Sequence, residues 1–388
     1  MHAACFTQWA FELSHALPQL TWPQARCLAQ WTLGCILASS CGLSAVVAEV
    51  SRCLSEPANT TRQRLREFSF DAQTKAGAQR RELDVTRLFA PLLRWIVRLW
   101  QSQQLALVLD ATTLRDRLTI LCISVVVGHT AVPVAWRVVA GNASGSWKPY
   151  WCALLDELNG AIPEDWTVLV MADRGLYARW LFDAIVEQRW HPVLRINASG
   201  RVHFANGRRS SLQAIARRLG NRTQAFDNVT LFTTTPVRCT LLGRRAEGYR
   251  DPWLVLTDLP GEQIDIRCYG LRAWIEHGFK AIKSGCFHWE RSRMNAPDRV
   301  ERKWLVLAVA LLYSVSVAIN DGSLAPGVLD ERLGVMSIGQ PSSRLSLPLS
   351  GCKIVLAALL CGAQLPHMAG LPFDFGELLH IGQFSHPP

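Results

Sequence analysis

Tyr269, Arg272, Glu276 and Lys283 lie in the stretch "YGLRAWIEHGFKAIKSG", the last three offset from the first by 3, 7 and 14 positions. On an ideal α-helix those offsets share one stripe roughly 60° wide. Leu271, Ile275, Phe279 and Ile282 sit beside that stripe and form the apolar face that a core would cover. A phenol, a guanidinium, a carboxylate and an ammonium in one column have two physical readings. Arg272 and Glu276 are four residues apart and can make a solvated surface ion pair. Alternatively, Glu276 binds a metal and is flanked by donors for a phosphate chain.

Two further acids bear on that choice. Asp110 closes the apolar run "QLALVLD", and Asp173 closes "TVLVMAD". Carboxylates at the ends of buried strands are costly unless paired or metal-bound, and strand carboxyl ends are the usual place for sites in α/β sheets. Taken singly, each aspartate can be a mere strand terminator. Taken together, Asp110, Asp173 and Glu276 supply hard oxygen ligands from three elements, suited to Mg²⁺ with Mn²⁺ as a substitute. Two such ions can activate a water and stabilise the leaving oxygen in phosphodiester cleavage.

The elements that must position these acids follow from the hydrophobic period. Residues 1–100 read as helical, with Thr21 as an N-cap and Pro23 in the first turn of one helix. "LSAVVAEVSRCL" and "NTTRQRLREFSF" read as two short helices in a helix-turn-helix-like unit, the second made basic by Arg62, Arg64 and Arg66. That second helix is either a reader of a DNA groove or an ordinary amphipathic surface helix. From residue 104 the chain is rich in β-branched residues and gives three meandering strands followed by α-β-α-β, an α/β sheet with an antiparallel start. Residues 101–198 form the first part of this core, and 199–262 read as a β-rich basic insertion. Residues 263–325 carry the helix of the opening stripe and a buried helix from Trp304, too short an apolar run to span a bilayer. Residues 326–388 read as a C-terminal helical region and tail. The expected class is therefore α/β, α+β overall, with flanking helices.

The net charge of +10 favours an anionic partner, nucleic acid first and a membrane surface second. No C-x-x-C pair occurs among the 12 cysteines, which points to free buried thiols in a reducing compartment rather than disulfides or zinc. No basic segment followed by a continuous apolar core opens the chain, so the expectation is a cytoplasmic protein without a membrane partner.

The spacing Y-x2-R-x3-E-x6-K, together with "LDATTL" around Asp110 and "ADRGLY" around Asp173, resembles the signature of bacterial insertion-sequence DDE transposases. The resemblance covers roughly residues 100 to 320. It implies a ribonuclease H-like mixed-sheet core interrupted by a β insertion, with Asp110, Asp173 and Glu276 holding two Mg²⁺ ions. It assigns Tyr269, Arg272 and Lys283 to phosphates of the element's end, and Trp253 to stacking on a base flipped from the duplex. The alternative for Trp253 is a core tryptophan of the β insertion. The activity implied is cleavage of double-stranded DNA at terminal inverted repeats and transfer of the 3′-hydroxyls into target DNA. The implied assembly is a dimer in the DNA synaptic complex, associated with the nucleoid. Two rival functions share the fold: a transposase-derived DNA-binding protein without catalysis, and a ribonuclease H-like nuclease without strand transfer.

Overall fold

The computed structural model describes residues 2–77, 80–143, 145–232, 234–245, 249–322, 345–368, 370–373 and 375–380. Five helices precede the sheet: α1 (His2–Ala16), α2 (Trp22–Leu37), α3 (Leu43–Leu54), α4 (Ala58–Glu67) and α5 (Phe89–Leu99). Thr21 caps α2 in a reciprocal capping box with Gln24, so the local sequence does fix that helix start. Among the described residues the rest of the chain builds one ten-stranded sheet. Its first strands are β1 (Gln104–Leu114), β2 (Leu118–Val127), β3 (Thr130–Ala140), β4 (Thr167–Ala172) and β5 (His191–Arg195). Helices α6 (Lys148–Asp156) and α7 (Arg179–Glu187) link β3 to β4 and β4 to β5.

The order β3-β2-β1-β4-β5 is antiparallel across the first three strands and parallel from β1 through β4 to β5. This is the ribonuclease H-like mixed α/β arrangement expected from the sequence. Every residue of β2 is buried, which requires cover on both faces of the sheet. An unbroken apolar run such as "LTILCISVVV" is the sequence form of that double burial.

The basic segment that follows does not form a separate sheet. Strands β6 (Arg201–His203), β7 (Arg209–Ser211), β8 (Gln224–Leu231), β9 (Val237–Arg244) and β10 (Trp253–Thr257) continue the same sheet in the order β10-β9-β8-β6-β7 outward from β5. Helix α8 (Leu212–Arg218) lies between β7 and β8. The junction between the two parts is narrow: β10 registers with β5 only at Val255 opposite Arg195 and Leu256 opposite Leu194.

The stretch carrying the polar stripe is not one regular helix. Ile266–Ala273 winds as a 3₁₀ helix, α9 (Trp274–Lys280) is α-helical, and Ala281–Gly285 widens to a π turn. The angular positions of an ideal α-helix therefore do not apply from end to end, because 3₁₀ winding over-rotates and π winding under-rotates each residue. Asp110 likewise does not terminate its strand, since β1 runs on to Leu114. The helix α10 (Pro297–Asn320) reaches 24 residues, longer than its apolar run suggested. It is long and apolar enough by composition to cross a membrane, but 89% of its most apolar window is buried inside the protein. Tyr313 of α10 meets Trp9 of α1 with ring centroids 4.2 Å apart, joining the N-terminal helices to the core. After α10, residues 339–344 of the stretch "GQPSSRLSLPLSG" lie outside the described residues, and its remainder runs into α11 (Leu347–Leu360), which packs on α10.

Close approach of backbone to backbone seats α9. A Cβ built on Gly278 would lie 2.1 Å from the carbonyl oxygen of Ala131 on β3. Only glycine permits that distance, and it fixes how deeply the helix bearing Glu276 sits against the sheet. Gly278→Ala is expected to lower stability by about 1–3 kcal/mol through overpacking. Urea unfolding of the variant checks this, and an unchanged midpoint would show that the helix can move away at no cost.

Candidate active site

β1 and β4 run parallel, and their ladder ends at Leu109 opposite Ala172. The next residue on each strand is Asp110 or Asp173, so the pairing register itself sets the two carboxylates side by side. Neighbouring strands lie about 4.8 Å apart. Each aspartate then divides its two oxygens between different tasks. Oδ1 of Asp110 accepts from the Ala111 amide at 2.8 Å, and Oδ1 of Asp173 accepts from the Gly175 amide at 2.8 Å. These bonds lock both side chains and leave both Oδ2 atoms facing the helical stretch.

The group they face is Arg272. Its Nη2 lies 2.6 Å from Asp110 Oδ2 and 3.6 Å from Asp173 Oδ2, while its Nη1 lies 3.1 Å from Glu276 Oε1. Three acids from three elements thus meet on one guanidinium. The Arg272–Glu276 ion pair of the bland sequence reading does exist, but it is one edge of this larger cluster rather than a solvated face. Exposure is graded across it: the side chains of Asp110, Asp173 and Glu276 are 21%, 39% and 64% exposed. Burial raises the Asp110 carboxyl above the ordinary carboxylate range, with Arg272 and the Ala111 amide opposing and the charges of Asp173 and Glu276 adding to the rise. One guanidinium therefore under-compensates the cluster. Its Nε is buried without an acceptor, so Arg272 is also an imperfectly satisfied occupant.

The remaining residues of the stripe diverge. Lys283 reaches back to β1, where its Nζ donates to Thr112 Oγ1 at 3.3 Å. Thr112 is two residues beyond Asp110 and so shares its face of the strand. That period-2 relation was the available signal for Thr112, which sequence reasoning passed over. Tyr269 is buried, bonded to Arg195 and edge-on to Trp253 at 5.4 Å, and burial pushes its phenol up to about 12. It offers no exposed donor to a phosphate in this conformation, and Arg272 is spent on the carboxylates rather than on an external anion. These placements hold without an external anion, and the phosphate-binding roles of Tyr269 and Arg272 stay an expectation from the sequence.

Of the two readings of Trp253, the structure places it as the core one has it. It is 2% exposed, with Tyr249 edge-on at 5.1 Å and Tyr269 on another side. It is a core tryptophan of β10, and no open ring face remains for a base. The three N-terminal arginines do not act as a set. Arg62 is exposed and bonds Ser44, Arg64 turns inward to Gln30 and Glu56, and Arg66 lies over the Phe70 ring. Residues two apart on a helix point about 200° apart and residues four apart nearly coincide, so Arg62 and Arg66 share the exposed face from which Arg64 turns away.

The cysteines are free, as expected, and Cys122 on β2 directly opposes Asp110, its thiol pushed up to about 12 by burial. Among the described residues, no three His, Cys, Asp or Glu side chains stand close enough to hold a metal ion. The donor set nevertheless fits a hard divalent cation: two carboxylates held by backbone amides and a more exposed third already converge on a positive charge.

The fold is a mixed α/β domain with an acidic cluster at the ends of its paired strands, and residues 101–313 match the transposase DDE domain family. That span is more than half of the chain, which belongs to this family. A cryo-EM structure of a piggyBac transposase synaptic complex with hairpin DNA aligns with 92% of this chain and 80% of that one, at 9% identity and a TM-score of 0.43. No relative matches among curated proteins.

Arg272→Gln would leave three carboxylates without a counter-charge. The variant is expected to lose about 1–3 kcal/mol of stability in EDTA, discounted for the exposure of Asp173 and Glu276. Mn²⁺ should raise its melting temperature more than that of the native chain, because binding to the folded form stabilises by mass action. Equal shifts in both proteins would mean that the guanidinium does not occupy the cation position.

Proposed function

We propose that the chain is an insertion-sequence transposase of the Y-R-E-K group, cutting double-stranded DNA at the ends of its element and joining the freed 3′-hydroxyls to target DNA. The observation that carries this reading is the convergence of Asp110, Asp173 and Glu276 on one cation at 2.6, 3.6 and 3.1 Å. The family match over residues 101–313 gives that convergence its chemical context. The hairpin DNA of the piggyBac complex is that protein's partner, and here DNA enters on the basic charge of +10 and the family.

Mg²⁺ or Mn²⁺ held by the three acids would supply the charge that activates an attacking oxygen and stabilises the departing one. The chain's own residues do the rest. The Ala111 and Gly175 amides hold Asp110 and Asp173 so that one oxygen of each faces inward. Such fixed geometry lowers the reorganisation needed when the substrate arrives. Arg272 partly offsets the charge of the cluster before loading and is free, once displaced, to turn towards a phosphate. Lys283 waits on Thr112 at the rim, where it can meet a second phosphate. No side chain serves as a covalent nucleophile. Two element ends require two such sites, so the working form is a dimer on DNA, in the cytoplasm with the nucleoid.

Asp173→Ala is the direct test, with a supercoiled plasmid carrying the flanking DNA as substrate. Cleavage in Mg²⁺ should fall at least about 10³-fold while DNA affinity stays within a few-fold. Cleavage that survives the substitution would sink the catalytic assignment. Nicked products without joined ones would leave the nuclease reading in its place, and bound but uncut DNA would leave the non-catalytic one. Affinity itself should fall steeply between 50 and 200 mM salt, by about 10³-fold or more if six or more phosphates are neutralised. A flat response, read by fluorescence anisotropy, would remove the basic surface from the explanation.

A further inference from the structure

A second cluster of charge lies away from the carboxylates, where the N-terminal helices meet the segment joining the π turn to α10. There a cavity of about 650 Å³ opens between Trp31, Phe70 and residues 288–299. Arg66, Arg291, Arg293 and Arg299 line it, and none of the four is in an ion pair among the described residues. Arg66 and Arg299 share the ring of Phe70, with guanidinium carbons 5.3 and 4.2 Å from its centroid. Asp71, whose charge also reaches Arg299, is bonded to Arg302 instead.

The deepest group is Lys303. It is 5% exposed and lines the cavity, and its Nζ has no hydrogen-bond partner. That nitrogen lies 2.9 Å from the centre of the Trp31 ring. A ring face is a weak partner for an ammonium compared with an anion, and an unpaired buried ammonium is costly. Five basic groups around one cavity without a carboxylate among them repel one another until an anion enters. Its volume falls within the usual size of ligand pockets, and the aromatic walls suit a planar group beside the anion.

The frame around the cavity is built. Arg117, in the β1–β2 turn, donates to the carbonyls of Ser292 and Met294 at 2.9 and 3.3 Å. The amide of Cys41, in the α2–α3 loop, donates to the Phe287 carbonyl at 2.7 Å. One wall is thus tied to the hairpin that carries Asp110, and the N-terminal helices are tied to the end of the catalytic stretch.

We propose that this cavity is a phosphate site that receives a nucleotide of the DNA strand leading away from the acidic cluster, with Lys303, Arg66 and Arg299 on the phosphate and the partly exposed Phe70 beside the base. This rests on the reading of the chain as a DNA-processing enzyme. A free mononucleotide offers the same chemistry, and the test separates the two sources.

Arg66→Gln/Arg299→Gln and Lys303→Met are compared with the native chain, the methionine keeping the contact with Trp31. Anisotropy of a labelled duplex is read across a NaCl series, and calorimetry is run with dTMP and with inorganic phosphate. The double variant is expected to shallow the slope of log K on log salt by about 2 and to weaken binding about tenfold or more at moderate salt. Lys303→Met should weaken binding with no fall in melting temperature, since it removes an unpaired charge. Unchanged affinity and slope in the folded variants would overturn the phosphate site while leaving the transposase reading intact. If the native chain binds no duplex, it is the transposase reading that fails. In that event dTMP binding lost in Lys303→Met still supports the phosphate site, and no dTMP binding overturns it too. Tight dTMP binding beside native-like duplex affinity in the variants would reassign the site to the free nucleotide and overturn its place on the DNA path.

Discussion

Three carboxylates cannot be held within reach of one another in a half-buried site unless a positive charge stands among them. In this protein that charge is the Arg272 guanidinium, and much of the surrounding structure serves to bring it and the acids together. The parallel ladder of β1 and β4 sets Asp110 beside Asp173. The glycine contact between α9 and β3 sets the depth of Glu276. Backbone amides then fix the aspartates, whereas the more exposed Glu276 at the rim is paired with Arg272. The inner part of the cluster is thus tied to the backbone and the outer part opens to solvent, the side from which a hard cation would enter.

The sheet and the long buried helix were legible because their signals are strong. Unbroken apolar runs such as "LTILCISVVV" occur in strands covered on both faces, and "WLVLAVALLYSVSVAIN" has the length and monotony of a central helix. The three acids were legible for a different reason: each stands where an apolar run meets a charge, or in a spacing that resembles a known signature. The precise partners were not legible. Reading Tyr269–Gly285 as one α-helix put four polar groups in a column, but its 3₁₀ and π ends turn Tyr269 into the core and let Lys283 bend towards Thr112. Winding of this kind depends on tertiary packing, and no local propensity announces it.

Trp253 and the N-terminal arginines show the complementary limit. An aromatic residue in a short strand has the same sequence appearance whether it faces a ligand or two tyrosines, and only the neighbours decide. Arg64 and Arg66 are two positions apart and look equivalent in a basic run. One is consumed by Gln30 and Glu56 in the fold, and the other faces a cavity assembled by residues more than 200 positions away. Charge is visible in a sequence, but its counter-charge is not.

The narrow junction between β5 and β10 gives the sheet a mechanical character. Two register pairs join a five-stranded inner blade, which bears Asp110 and Asp173, to an outer blade of β6 to β10. Farther out the ladder narrows again, to the single register pair of His203 and Thr230 between β6 and β8. Arg195 stands in the neck and holds Tyr269, three residues from Arg272. The neck therefore places the inner edge of the outer blade, through Arg195 and Tyr269, next to the segment that carries the guanidinium.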